Sequence, residues 1–363
     1  MPADFTGGMP LNGRERFLAA IAHHEPDRVP MHDHPWDSTV VRWRREGLPQ
    51  GVSPDDHFGF EMVRLRPDLS PRFATEELDE SEEYVLERTA YGALRRQHRD
   101  RSTTPEIVEY PIHTREDWQK IKPRLAPGPE RFNWPALRAQ YEKARAAGRF
   151  VTFHAHFGYA SLLEYVKTDE LLMLLATEPE WVKEMYQVQL ELVLWLAEEM
   201  AKGGIEYDGA FLNCDLGYRN ATLFSPQMYR QLQFPFDKQL FRFFRDRGKP
   251  VILHSDGCVK ALIPYFLEAG VNVLQPLEVK AGMDVVELKR KYGRDLAFMG
   301  GIDVRAMADP DPRAIEEEIK HKFAAAMPGG GYIYHSDHSV PNDVSLERYR
   351  RVMELVLKYG VYK

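Results

Sequence analysis

The sequence predicts an α/β protein, a distorted (β/α)8 TIM barrel with an added N-terminal helical and β-hairpin region. Three observations carry this expectation. From residue 150 onward, short apolar runs alternate with amphipathic helical stretches, the pattern of repeated βα units. The runs are apolar throughout, as strands of a parallel sheet buried on both faces must be. Nearly every run ends in polar or glycine-rich residues, and in a closed barrel those ends share one mouth. The 363 residues suit one such barrel, so a single domain over 1–363 is expected. No glycine-rich dinucleotide fingerprint opens the first unit, which argues against an open doubly wound sheet.

In chain order, the first helix is predicted over 13–23, with Phe17, Leu18, Ile21 and Ala22 at helical spacing. Pro26 and Pro30 bracket the next segment, and VPMHDH (29–34) reads as a short buried strand. Residues 83–113 combine alternation with turn residues, which predicts an antiparallel hairpin outside the main body. Residues 114–148 read as helices broken around Pro123, Pro127 and Pro129, so an insertion is expected over about 83–148. FVTFHAHFG (150–158) then leads into helices over 159–202. YDGAFLNCDLG (207–217) leads into 226–247, where Ser225 is placed to cap and Pro226 to open the helix. PVILHSDG (250–257) precedes a helix over 258–269, and VNVLQPLEV (271–279) one over 283–292. LAFMGGID (296–303) precedes 312–326, and GGYIYHSDH (330–338) the terminal helix 345–359. With VPMHDH these make seven strand candidates, and the eighth is unassigned.

Composition bounds the function. Hydrophobic content of 44% and charged content of 28% fall near globular averages, which excludes a disordered or collagen-like chain. Lys plus Arg 48 against Asp plus Glu 55 gives a net charge of −7, unsuited to nucleic acid or an anionic membrane. Cys214 and Cys258 make no disulfide framework. The start, MPADFTGGMPLNGRER, has no apolar leader core, and no run reaches the ~18 apolar residues of a membrane span. A soluble, cytoplasmic protein without nucleic-acid or membrane partners is expected.

The predicted strand ends are rich in groups that bind metals and move protons. They carry His32, Asp33 and His34; His154 and His156; Asp208 and Asp215; His254 and Asp256; Glu278; Asp303; and His335, Asp337 and His338. Seven of the 13 histidines fall in these segments. Residues two apart on a strand share a face, which pairs His254 with Asp256, His154 with His156 and His32 with His34. An H-x-D at one strand end, joined by a histidine from another, can give the three-ligand open site of a catalytic zinc. A single strand-end His or Asp more often caps a helix or satisfies loop amides. So many ionisable groups at one mouth are costly unless they bind something.

Other features are weaker. The loop 215–225 leads into a helix and could meet an anion there, or be a plain surface connection. GlyGlyGly at 329–331 precedes a strand and is read as a tight turn. FPFDKQLFRFF (234–244) is read as core packing, RRQHRDR (95–101) as a solvated hairpin face, and Cys258 as a small residue at a helix start.

Several segments, taken together and in order, resemble the uroporphyrinogen decarboxylase superfamily: RERFLAAIAHHEPDRVP, LFSPQMYRQLQFPFDKQL, VILHSDGCVKALIPYFLEAGVNVLQPLE, LAFMGGID and GGGYIYHSDHSVPNDVSLERYR. The likeness is weakest over 35–150, and it implies a distorted TIM barrel. True uroporphyrinogen decarboxylases carry an RQAGRYLPE-type segment whose arginines hold the substrate's carboxylates. Here the corresponding region reads MHDHPWDSTVVRWRREG, without that motif. The sequence is more similar to the corrinoid-dependent methyltransferase branch of the cobalamin/coenzyme M type. There, zinc is held by an H-x-C motif at one strand end and a Cys from the last strand. The resemblance sets His254 at the family's His, Asp256 at its first Cys and His338 at its second. Replacing thiolates with harder groups favours zinc or another, harder divalent metal, with Glu278 as a fourth ligand or as support for the others.

The resemblance thus implies a metal-dependent methyltransferase that moves a methyl group between a small methylated substrate, O-methyl or similar, and a corrinoid protein. The cobalamin would belong to that partner, docked over the mouth. Asp303, His154 and His156 would be catalytic, positioning substrate or shuttling protons, while His32, His34, Asp215 and His335 would bind substrate. The superfamily includes dimers, so a homodimer is an allowed assembly. Two alternatives stay open: a metal-free decarboxylase with Asp303 or a histidine as proton donor, and a binding protein for a corrinoid or tetrapyrrole that retains the barrel without turnover.

Overall fold

The computed structural model of the protein describes residues 10–99 and 105–363. In chain order its strands are β1 (Met62–Leu65), β2 (Glu76–Glu80), β3 (Tyr84–Arg88), β4 (Leu94–His98), β5 (Glu106–Glu109), β6 (Phe150–His156), β7 (Gly209–Asn213), β8 (Val251–His254), β9 (Val273–Gln275), β10 (Ala297–Met299) and β11 (Tyr332–Ile333). Seven of them form one curled parallel sheet in the order β1-β6-β7-β8-β9-β10-β11. Helices follow most of these strands, and the fold is a distorted (β/α)8 barrel.

The ring closes through the segment expected as the first strand. Met31 bridges Tyr334 in parallel just beyond β11. The His32 N–H donates to Tyr334 O at 3.1 Å, and the Glu61 N–H to Met31 O at 2.8 Å. Residues 30–32 therefore sit between β11 and β1 as a member of bridge length instead of the full strand predicted over 29–34. The unassigned eighth strand is β1, whose MVRL carries a charged residue in mid-run and so broke the apolar pattern.

The barrel has a closed end and an open one. Asn12 caps the first helix, Gly13–Ile21, in a reciprocal box with Glu15. That helix buries Phe17, Ala20 and Ile21 against the inner-face residues Met62, Phe150, Phe211, Ile252, Val273, Ala297, Met299 and Ile333. The Phe17 and Phe150 rings stack at 5.2 Å. A helix so placed fills the N-terminal end of the strands with apolar side chains, each buried one contributing about 1.5–3 kcal/mol. The C-terminal ends remain as the mouth.

The outer helices match the predicted amphipathic stretches closely; Pro312–Ala326 and Leu346–Tyr359 are examples. Cys258 differs from its expectation: it pairs with Tyr218 in an isolated bridge, and the chain turns helical only from Lys260. Gly329, Gly330 and Gly331 all have positive φ (77°, 71° and 70°), the tight turn expected before β11. The hairpin region is a four-stranded antiparallel sheet, β2-β3-β4-β5, beginning earlier than the predicted 83. Its arginines face glutamates across the strands, Arg95 with Glu87 and Arg96 with Glu106. Asp100 and Arg101 of the predicted basic face lie outside the described residues. No helix among the described residues is long and apolar enough to cross a membrane.

Candidate active site at the mouth of the barrel

Strand register stacks the barrel interior in layers. Phe211, Ile252 and Val273 lie level with one another on β7, β8 and β9. Two residues further along, on the same face, come Asn213, His254 and Gln275. The interior thus changes from apolar to polar within one step of each strand, and the polar layer faces the mouth.

A relay through that layer places a proton on His254 Nδ1. His335 is buried, and its Nδ1 lies 2.7 Å from Ser336 O, which can only accept; Nδ1 therefore carries the proton and Nε2 a lone pair. Gln275 Nε2 approaches that lone pair at 3.3 Å, which turns the amide's Oε1 toward His254 Nδ1 at 2.5 Å. His254 Nδ1 then donates, and its Nε2 faces two carboxylates, Asp215 Oδ1 at 3.4 Å and Asp256 Oδ2 at 3.7 Å. With the ring neutral, the Nε2 lone pair and the two anionic oxygens repel unless a cation lies between them. Asp215, His254 and Asp256 each offer a ligand atom within 4.8 Å of the others. The second Asp256 oxygen is buried with no hydrogen-bond partner. Burial pushes the Asp256 carboxyl up, a cost that a bound cation would remove. The donor set of one imidazole and two carboxylates fits a divalent metal.

The remaining expected metal residues divide. His338 Nε2 lies 3.9 Å from Asp256 Oδ2, and its ring stacks near Trp36 at 6.1 Å, so it borders the cluster from the last strand's loop. Glu278 accepts from the Gly257 N–H at 2.8 Å and pairs with Lys280 at 2.9 Å. It anchors the turn that carries Asp256. Asp215, expected among the substrate-binding residues, instead stands inside the cluster and accepts the Asp256 N–H at 3.1 Å.

The expected catalytic and substrate residues are also placed. His154 Nε2 meets Asn213 Oδ1 at 2.8 Å, while its Nδ1 is buried and unpartnered. His156 is 5.4 Å away between ring centroids. Burial, with the cations Arg66 and Arg64 nearby, holds His154 well below the ordinary histidine range. His156 is reached from the mouth but packed about by protein, which lowers it to about 4 against the pull of Asp215. His34 is in the same situation, lowered to about 3 by desolvation and then by Arg64. His32 is fully enclosed, with both ring nitrogens unpartnered and its ring 5.8 Å from that of His335. Asp303 does not join this group. Its Oδ1 caps the helix Val304–Ala308, and both its oxygens pair with Arg305. Asp208, also noted at a strand end, binds Arg14, Arg145 and the Val151 N–H at the start of β6, away from the mouth.

Sequence reasoning missed four residues here: Asn213 and Gln275, which orient histidines, and Arg64 and Arg66. Arg64 leans over the Phe211 ring at 5.2 Å, and that ring is 6.1 Å from the His254 ring. Both arginines line a cavity of about 680 Å³ together with His32, His34 and Asp55. The cavity opens beside β1, and His32 in its wall has its ring 5.8 Å from that of His335. The available signal was MVRLRP itself, which puts two arginines on one face of a short strand.

A sequence profile described as uroporphyrinogen decarboxylase (URO-D) matches residues 96–359, well over half of the chain. No curated protein sequence matches it. Among solved structures, a methyltransferase from Methanosarcina mazei shares the fold with a TM-score of 0.65 at 14% identity, over 96% of this chain and 99% of that one. A glycerophosphoryl diester phosphodiesterase from Parabacteroides distasonis is a more distant likeness (TM-score 0.40, 10% identity, 98% of this chain and 95% of that one). So is a B12-independent methionine synthase from Shewanella sp. W3-18-1 (TM-score 0.38, 11% identity, 93% of each chain).

Proposed function

The chain belongs to the uroporphyrinogen decarboxylase family, and from that premise we propose that it is a metal-dependent methyltransferase exchanging methyl groups between a small methylated substrate and a corrinoid carried by a partner protein. The observation that supports this reading best is His254 Nε2 turned toward Asp215 and Asp256 by the Gln275–His335 relay. His254, Asp215 and Asp256 would hold the metal, zinc or another divalent ion, with His338 beside them. When bound, such an ion supplies Lewis-acid stabilisation of charge on the substrate's oxygen or sulfur.

The chain's own residues do the rest. Gln275 and His335 keep the proton on His254 Nδ1, away from the ligand side. Glu278 fixes the Gly257 turn and with it the position of Asp256. His34, His154 and His156 are held neutral near pH 7, so they act as hydrogen-bonding groups of the pocket wall and not as charged ones. The unpartnered His154 Nδ1 is the atom we assign to accept a hydrogen bond from a hydroxyl or thiol of the substrate and so orient it. The polar layer lies at the open end of the barrel, where a partner protein can reach it.

A doubly protonated His254 would also satisfy the two carboxylates, and that is the metal-free decarboxylase alternative. Metal analysis of the purified protein separates the two. About one divalent ion per chain is expected, lost in His254→Ala together with methyl transfer from a panel of methoxy compounds to cob(I)alamin. A preparation without stoichiometric metal, in which His254→Ala alters neither metal content nor turnover, would sink the proposal.

A further inference from the structure

We propose that Arg64 and Arg66 form an oxyanion subsite that holds the carboxylate of a small carboxylic-acid substrate, beside the His254–Asp256 cluster. This inference rests on the methyltransferase reading for what happens at the cluster, but the subsite stands on its own geometry.

Residues 64 and 66 lie two apart along β1 and its continuation, so their side chains leave on one face. Both line the 680 Å³ cavity, a volume suited to a small ligand. Among the described residues neither guanidinium has a carboxylate within ion-pair distance, whereas Arg14, Arg16, Arg28 and Arg145 at the other end of the barrel are all paired. Arg64 is largely enclosed, and its one recorded contact is the face of Phe211. Burial and the neighbouring Arg66 lower it to about 10, which leaves it charged at neutral pH.

Two like charges on one face of a strand, with no ion pair among the described residues, favour an added anion. The histidines around them do not oppose one. His32, His34 and His335 are kept neutral by burial and by these same arginines. Asp55 lines the cavity but stands beyond ion-pair reach of Arg64, and burial pushes its carboxyl up. An anion from outside completes the site, and paired guanidinium forks match the planar geometry of a carboxylate.

The charge count favours a monoanion over a phosphate. The two arginines share their cavity with Asp55, which leaves room for one added negative charge and not for two. The Phe211 ring lies 5.2 Å from the Arg64 guanidinium and 6.1 Å from the His254 ring, so the subsite and the cluster share one aromatic neighbour. A methoxy-substituted acid held by its carboxylate would then turn its ether oxygen toward the cluster.

Binding calorimetry on the full-length protein tests this without turnover. The probes are acetate, methoxyacetate and methoxybenzoate, each against its neutral amide, with inorganic phosphate as a further arm. At least one acid should bind about tenfold or more tighter than its amide, the size expected for a charge-assisted pair. That preference should disappear in Arg64→Gln and in Arg66→Gln. If Arg64→Gln does not fold, Arg66→Gln on the accessible rim still gives the reading. The subsite is overturned if no acid outbinds its amide, or if the preference survives Arg66→Gln. Phosphate binding tighter than every carboxylate overturns the substrate class. Absence of metal or of methyl transfer, with the acid preference intact, defeats the methyltransferase reading and leaves the subsite standing.

Discussion

Asp237 shows how one residue can set the pH behaviour of the fold. It is buried on the helix Phe234–Arg245, where Oδ2 accepts from Tyr229 Oη at 2.6 Å and both oxygens lie near Gln233 Nε2. The titratable groups facing it from neighbouring elements are Cys214 and Tyr186, neither of which offers a positive charge. Desolvation therefore dominates and raises the carboxyl from 3.8 to about 7, although the two hydrogen bonds pull it down. A carboxyl raised in the folded state contributes stability that is present at low pH and lost as pH climbs through about 7. Asp237→Asn removes that dependence. Its melting temperature should match or fall below the wild type near pH 5 and exceed it at pH 8.5, a relative gain between the two of at most about 3 kcal/mol. Parallel melting curves across this range would show that Asp237 stays in one state. Nothing in FPFDKQLFRFF marks this aspartate as buried; it sits in an amphipathic helix among charges that face solvent, and only the docking of Tyr229 over it decides.

At the scale of elements, the turns leaving the strands fix where the site residues point. After β10 the chain passes over Pro276, and a Cβ on Gly300 would lie 1.8 Å from the Pro276 carbonyl oxygen, with φ at +125°. Gly329, before β11, also has positive φ (+77°), yet nothing lies within 4 Å of its Cβ position. Gly329→Ala should therefore cost only the left-handed strain, about 1–2 kcal/mol. Gly300→Ala must displace backbone and should cost about 3 kcal/mol or more. Urea unfolding of the two variants measures the difference, and equal losses would mean that the β10 turn relaxes freely. These elements were legible to different degrees. FVTFHAH, VILH and LAFM announced themselves because each opens on apolar residues and holds any ionisable group toward the C-terminal end of the strand. MVRL did not, because an inward arginine at a barrel mouth looks in sequence like a solvated one. The histidines and aspartates of the mouth were legible as strand-end residues. The partner of His254 was not, since Asp215 and Gln275 reach it only through the β7-β8-β9 register. Asp303 misled for the opposite reason: it has a strand-end position, but Arg305, two residues on, occupies it.

Closure of the whole molecule depends on one buried glutamate. Glu61 precedes β1 and receives Arg16 Nη1 at 2.6 Å, Arg28 Nη2 at 2.7 Å and the Met31 N–H at 2.9 Å. Its own backbone pairs with Met31 on one side and with Phe150 of β6 on the other. The side chain thus ties the helix at the closed end, the bridge-length segment and the first full strand at the point where the ring meets. Arg16 keeps a second partner in Asp27, but Arg28 has no other carboxylate among the described ion pairs. Glu61→Ala would leave buried cations short of charge, and such losses typically cost about 3–5 kcal/mol. Glu61→Gln keeps the shape and an acceptor for the Met31 N–H, so it should cost less. Because His32 and His34 continue from this segment and Arg64 from this strand, loosening the seam should also loosen the mouth. Hydrogen exchange should then quicken at the Met31 and His32 amides in Glu61→Ala, more than at the β7 and β8 amides across the barrel. If exchange rises evenly around the ring, the seam is no weaker than any other strand pair, and closure belongs to the helix packing instead.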